Sequence, residues 1–316
     1  MFTSPGDRAG RKRPQGLRYW FESFFNITPN GLVPVTTWTP KSTATDHDAC
    51  IVPKGLGALL TRVPDNTLTG GNKRGTSAVD LQTSRDAATQ VASGNNSVLI
   101  GGFKNTASGQ YSVVLSGSSN VASGVAAIAG GAGAVASGDF SQALGNTVTS
   151  SGIFSRATGY DSSTRGLMGA RSHATGRQSQ AADIQEIQMF VRGLTTDATP
   201  LALTANNSVK SATNQLGVVQ FSNLAVMGLV TAGTSTGDAK NWSFSAGIQR
   251  TGSGVASTVM VAACTPVVIA NTAGAAAWTL AVTADTTNGA LSVTFTGAFA
   301  TSCRIGCTLT AVETYF

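Results

Sequence analysis

The sequence predicts an all-β chain: a parallel β-roll of 14–15-residue rungs followed by an antiparallel, sandwich-like β domain. Three observations carry that expectation. Glycines recur at a fixed step through residues 91–180, apolar and polar residues alternate through residues 181–316, and only 11% of the 316 residues are charged. Globular chains average about a quarter charged residues, so the shortfall suits a protein that hides much of its length in an assembly.

The repeat sets the first element. Gly94, Gly109, Gly124, Gly138, Gly152 and Gly166 are spaced 15, 15, 14, 14 and 14. A second series, Gly102, Gly117, Gly131, Gly145 and Gly159, keeps step at 15, 14, 14 and 14. Ser97, Ser112, Ala127, Ser141 and Ser155 hold one place in successive units, each opening a short, mostly apolar run. A unit this short holds no helix pair or propeller blade. It fits one rung of a parallel solenoid: two short strands and two tight corners, where glycine supplies positive φ. Six rungs would rise about 29 Å. Each buries a few small side chains, too little to offset its own ordering entropy. Three chains bundled about an axis would share a core, so a homotrimer is expected.

Residues 181–316 change period. Ile187, Met189 and Val191 share one face of "EIQMFVR". Trp278, Leu280 and Val282 alternate with Thr279, Ala281 and Thr283, and Leu291, Val293 and Phe295 alternate with Ser292, Thr294 and Thr296. Asn288-Gly289 between them is a strong hairpin signal. Ile305, Cys307, Leu309 and Ala311 extend the pattern. Apolar faces backed by threonine describe an antiparallel sandwich or barrel.

Residues 1–45 open with a basic run, Arg8, Arg11, Lys12, Arg13 and Arg18, followed by Tyr19, Trp20, Phe21, Phe24 and Phe25. Aromatic residues and arginines anchor interfaces, which makes Arg11, Lys12, Arg13, Tyr19, Trp20, Phe21, Phe24 and Phe25 the candidate docking residues. The plainer alternative packs the aromatic cluster on the chain's own next domain. Residues 46–90, punctuated by Pro, Gly and Asn, read as a small connector of short strands. The net charge of +6 comes with no basic stripe interleaved with aromatics, which argues against nucleic acid as a partner. Arg18 and Glu22 break "LRYWFESFF", so no signal-peptide core and no membrane insertion are expected.

The rungs "NSVLIGG", "YSVVLSG" and "FSQALG", with their "ASG" turns, resemble the head repeats of trimeric autotransporter adhesins. The resemblance implies a left-handed parallel β-roll with three chains per fibre. The stretch "VPKGLGALLTRVPD…GGNKRGTSAVDLQTSRDAATQVASG" is similar to bacteriophage and prophage tail-fibre proteins, as are "NWSFSAGIQR" and "AAWTLAVTADTTNGALSVTFTG". Together these cover roughly residues 48–316.

Candidate chemistry is sparse. His47 and His173 are the only histidines, which supplies a nucleophilic triad poorly. In a trimer three copies of His173 could meet on the axis around an ion, though a surface or turn histidine is the commoner case. Cys303 and Cys307 on one strand would stand about 13 Å apart, too far for a disulfide. With Cys50 and Cys264 they read as small buried apolar residues. Asp183 and Glu186 would face opposite ways on a strand, so they form no catalytic carboxylate pair. No Gly-Lys-Ser/Thr ends a glycine run. The sequence therefore predicts no enzyme, no cofactor and no metal site.

The resemblance implies a homotrimeric phage tail fibre, assembled in the host cytoplasm and carried on the virion. Residues 1–45 would be the virion-attachment arm, 46–90 the connector, 91–180 the shaft and 181–316 the distal tip. Its partners would be its own copies, another tail protein at the arm, and a host surface receptor, a glycan being one option. The rival readings are a bacterial trimeric surface adhesin and a polysaccharide-cleaving tailspike.

Overall fold

The structure, a computed structural model, describes residues 25–29, 36–40, 51, 53–179 and 182–315. The chain divides into two units, Met1–Val52 and Pro53–Phe316. In the first, strand Phe25–Pro29 pairs antiparallel with Thr36–Pro40, Phe25 opposite Pro40. Of the docking candidates, Phe25 lies on this strand; Arg11, Lys12, Arg13, Tyr19, Trp20, Phe21 and Phe24 lie outside the described residues, as do His47 and Cys50.

The second unit begins with a parallel β-solenoid. One column stacks Leu59–Leu60, Val79–Asp80, Val98–Leu99, Val113–Ser118, Ile128–Ala132, Gln142–Asn146, Arg156–Tyr160 and Arg171–Thr175. A second stacks Thr106–Ala107, Val121–Ala122, Val135–Ala136 and Thr149–Ser150, with single bridges to Ala92 and Ser163 at its ends. Stacking starts well before the glycine repeat: Leu59 pairs with Val79 and Val79 with Val98, at steps of twenty and nineteen residues. Those wider rungs enclose a buried ion cluster, in which Arg74 Nε donates to Asp80 Oδ2 at 2.6 Å and Arg85 Nη2 lies 4.0 Å from the same oxygen.

The solenoid core is thin and tapers. Leu99, Val114, Ala129, Ala143, Ala157 and Ser172 stand in register along one column, all buried. Ala92, Ala107, Ala122 and Ala136 face them from the other. A core of alanines brings the columns close, and that closeness decides the corners.

At each first corner the chain makes a four-residue turn. The N–H of Ser97, Ser112, Ala127, Ser141 and Ser155 donates to the carbonyl of Gly94, Gly109, Gly124, Gly138 and Gly152, at 3.2 Å in every case. The expectation that these glycines supply positive φ is corrected. None of the five has it; the third turn residue does, at Asn96, Tyr111, Ala126, Phe140 and Phe154. The glycines are required by stacking instead. A Cβ on Gly94, Gly109, Gly124, Gly138 or Gly152 would lie 2.0–2.2 Å from the carbonyl oxygen of the next rung. Gly166 also departs from its expected place, because Leu167 takes the next stacking position and Gly166 has φ +78° beside it. Gly75 begins the series, against the Gly94 carbonyl. The second series fits the expectation: Gly102, Gly117, Gly131, Gly145 and Gly159 all have positive φ.

Asparagine builds the second corner. Asn120 Nδ2 donates to Ser116 O at 3.0 Å and Gly131 O at 2.9 Å, and its Oδ1 accepts from Ala134 N at 2.9 Å. Asn105 sits one rung earlier, its Oδ1 accepting from Asn120 N at 2.9 Å, while Gln82 Oε1 accepts from Asn105 N at 2.7 Å. All three side chains are buried, so the amides form a ladder with its polar groups paired inside the roll.

Strand Ile184–Thr195 turns the sheet antiparallel. It pairs with Arg171–Thr175 through Arg171–Gln188, Ser172–Ile187 and His173–Glu186, and along its length with Cys303–Tyr315. Ser222–Gly233, Ala239–Arg250, Thr258–Met260 and Val267–Asn271 complete that sheet. A smaller sheet of Leu201–Ala202, Leu216–Gly217, Thr279–Asp285 and Ala290–Thr296 packs on its inner face. The Phe295 ring meets Trp242 and Trp278 edge-on at 6.0 and 5.9 Å. Ile187, Met189, Val191, Ile305, Cys307 and Leu309 are buried as their alternation predicts. Ser292 is buried as well, on a central strand paired along both edges, where the alternation places it outward. The Asn288-Gly289 turn closes a four-residue loop between the paired Asp285 and Ala290. Cys303 and Cys307 are buried free thiols, whereas Cys264 is half-buried, a departure from the expected burial.

Candidate functional site

A cleft of about 600 Å³ lies where the last solenoid turns meet the terminal domain, between Asp161 and Arg165 on one side and Arg250, Asn288 and Tyr315 on the other. Both walls are set by backbone register. Asp161 follows strand Arg156–Tyr160 at a second corner, with φ +61°, and Arg165 sits in the next turn, with φ +52°. Tyr315 ends the final strand, its N–H donating to Asp183 O at 2.7 Å.

Arg165 is held from three directions. Its Nη1 donates to Glu313 Oε1 at 2.8 Å, its Nη2 to Ala182 O at 2.6 Å, and the guanidinium lies 5.7 Å from the Tyr315 ring centre. Glu313 Oε2 accepts from Gln185 Nε2 at 2.9 Å, and Gln185 Oε1 accepts from Ser163 N–H at 2.9 Å. Burial pushes the Glu313 carboxyl up from its ordinary value, and the charge of Arg165 partly reverses that. Burial also lowers the Arg165 guanidinium, and Glu313 opposes it. The result is a fixed guanidinium on a cleft wall, with both oxygens of its counter-ion engaged.

Asp161 is buried on the same wall. Its Oδ2 lies 3.4 Å from Arg177 Nε, and neither oxygen accepts a further hydrogen bond among the described residues. On the other wall Asn288 Nδ2 donates at 2.9 Å to the buried Asp285 behind it, which also pairs with Lys210 at 3.0 Å. Burial raises the Asp285 carboxyl, but these bonds outweigh it and the net shift is downward. The cleft thus presents fixed charges and amide groups to a polar ligand.

Asp183 and Glu186 face opposite ways, as expected. Asp183 is buried and accepts from Ser179 N at 2.6 Å, whereas Glu186 is exposed opposite His173. His173 is exposed, its Nδ1 3.1 Å from Thr158 Oγ1. No His, Cys, Asp and Glu group with metal-binding geometry occurs among the described residues. Alternation placed the strands, but Arg165 and Glu313 are 148 positions apart, and no local pattern announces that they meet.

No protein-family description and no curated protein sequence matches the chain. Among solved structures it is similar to tailspike gp49 of the Acinetobacter baumannii bacteriophage Fri1, a capsular polysaccharide depolymerase, at 10% identity and a TM-score of 0.25. That match covers 88% of this chain and 49% of the other. The tailspike of Acinetobacter baumannii phage AM24 matches at 9% identity and a TM-score of 0.21, covering 83% of this chain and 52% of the other. The tailspike of Acinetobacter phage vB_ApiP_P1 matches at 10% identity and 0.21, covering 77% and 55%. The chain spans about half the length of the tailspikes it matches. The expectation that the chain is not an enzyme is therefore withdrawn, because one of these structures is a depolymerase. At such TM-scores the likeness assigns neither that activity nor its residues to this chain.

Proposed function

We propose that the chain is a phage tail protein of the fibre or spike kind, built as a homotrimer and engaged in recognition of the host surface. One observation carries the reading: a solenoid with an alanine core leaves its larger apolar side chains outside. Ile100, Leu115, Tyr111, Phe140 and Phe154 are exposed along the roll, and Phe140 stacks on Phe154 at 5.1 Å. On the outer face of the terminal sheet Phe190, Met227, Leu229 and Val267 are 55–63% exposed. Apolar surface of this extent marks an interaction site. Copies of the chain packed about an axis would cover it, in the manner of the left-handed rolls of trimeric adhesin heads that the repeat resembles.

In this reading residues 1–45 attach the protein to another tail component, residues 46–90 connect to a shaft of residues 91–180, and residues 181–316 carry recognition. The polar cleft at Arg165 and Asp161 is suited to a hydroxyl-rich ligand such as a surface glycan. Three copies would raise a weak affinity through effective concentration. Assembly in the host cytoplasm and residence on the virion follow.

Sedimentation of the full chain tests the assembly: a trimer has about 96 kDa, three times 32.0 kDa, whereas a stable 32.0 kDa monomer overturns it. Competition tests recognition: the purified protein should block phage adsorption to susceptible cells. A folded trimer that leaves adsorption unchanged overturns the host-recognition role. The same preparation is assayed for loss of capsular polysaccharide viscosity, the activity of one matched tailspike.

A further inference from the structure

The position that opens each strand of the first column is apolar through five rungs and then changes character. Leu59, Val79, Val98, Val113 and Ile128 are followed in register by Gln142, Arg156 and Arg171. Neighbouring strands of a sheet lie about 4.8 Å apart, so the two arginines emerge side by side from adjacent strands. Both are exposed, and neither takes part in an ion pair among the described residues. Like charges directly opposite one another destabilise a sheet. The roll nevertheless places them where its own pattern supplies leucine, valine, isoleucine or glutamine.

A groove of about 240 Å³ runs over this pair, reaching Thr158, His173, Glu186 and Gln188. Thr158 and His173 lie two residues further along the same face, in register with each other and with Glu186. The Oγ1 of Thr158 and Nδ1 of His173 are 3.1 Å apart. Glu186 Oε1 accepts from Gln188 Nε2 at 2.9 Å, so the one carboxylate of the groove is engaged beside the arginines.

We infer that this groove is a binding site for an oxyanion group, a carboxylate or a phosphate, with Arg156 and Arg171 donating from its two sides. Two guanidinium forks at strand spacing match an oxyanion that accepts from both at once. A negative charge there relieves the repulsion between Arg156 and Arg171. Thr158 and His173 offer hydroxyl and imidazole groups to the remainder of the ligand, which the groove sizes to about a single sugar unit or a similar small body. As an oxyanion site it stands apart from the host-recognition reading; as the place where an acidic surface polysaccharide is read, it rests on that reading.

The full chain is titrated at low salt with glucuronate, glucose 6-phosphate and glucose, beside Arg156→Gln and Arg171→Gln. Gln142 already occupies this position one rung away, so the fold accommodates glutamine there. Either anionic probe is expected to bind with millimolar affinity while glucose does not, and the preferred probe separates carboxylate from phosphate. Each substitution should weaken that binding at least tenfold while raising the melting temperature of the unliganded protein. Equal binding of glucose, undiminished binding by both variants, or no anion binding at all overturns the site. A lowered melting temperature in both variants would make the arginines structural and overturn it too. These readouts need neither virion nor host, so they stand or fall separately from the adsorption test.

Discussion

A Cβ built on Gly124 would sit 2.1 Å from the carbonyl oxygen of Gly138, one rung further along the roll. That relationship, repeated from Gly75 to Gly152, makes close approach the reason for the first glycine series. Gly133 makes the contrast, with φ +66° and no atom nearer than 3.9 Å to its added Cβ. Gly124→Ala should therefore cost about 3 kcal/mol through displaced backbone. Gly133→Ala should cost about 1 kcal/mol, for left-handed backbone alone. Denaturant melts of the two variants read the difference; equal losses would sink the stacking argument.

The Asn120 side chain makes four hydrogen bonds in the ladder, and its alanine variant leaves Asn105 Oδ1, Ser116 O, Gly131 O and Ala134 N short of a partner. Burial of such orphaned groups should make Asn120→Ala about 3 kcal/mol less stable. Ala134 and Val148 stand at the corresponding place in the next two rungs, so a small or apolar side chain fits there. A variant as stable as the parent would mean that the ladder carries no weight.

The raised Glu313 carboxyl gives a pH dependence of defined sign. A group that holds its proton more tightly when folded stabilises the fold below its ordinary value of 4.5. That contribution is lost as pH rises through the raised value. Glu313→Gln cannot titrate, so the difference in stability between parent and variant should shift in the variant's favour as pH climbs from 4.5. Denaturation of both proteins across pH 4–8 checks it; parallel profiles would refute the assignment.

Met227 and Leu229 lie on the outer face of the terminal sheet, both exposed. If copies of the chain meet there, Met227→Glu with Leu229→Glu should lower the sedimenting mass while the inner-face core keeps the terminal domain folded. An unchanged mass would move the self-contact elsewhere on the surface.

Much of this architecture is legible in the sequence because it rests on local exclusion. Glycine is the one residue that fits against a neighbouring carbonyl 2 Å from its Cβ direction, so the rung spacing is written directly in Gly109, Gly124 and Gly138. The terminal strands are equally plain, since Ile305 to Ala311 alternate on one buried face. What the period conceals is any rung of another length. Leu59–Leu60 and Val79–Asp80 stack in the same sheet, but steps of twenty and nineteen residues erase their rhythm. Leu167 displaces Gly166 because that rung is one residue longer than the count of fourteen. The arginine pair needs the register itself: at a step of fifteen, Arg156 and Arg171 are neighbours, and nothing local says so.

The junction of parallel and antiparallel sheet also has a mechanical meaning. Tension along the stack runs parallel to the ladder hydrogen bonds, so each rung interface is pulled open rather than sheared. Within the terminal domain, strands Ile184–Thr195 and Cys303–Tyr315 are joined by twelve residue pairs. Between Arg171–Thr175 and the terminal domain there are three, and one of them carries Arg171 beside its like-charged neighbour. Arg165 and Glu313 brace that short seam from the side. Under load the terminal domain should part from the roll at this seam before its own long strands separate, which makes it the fuse of the molecule.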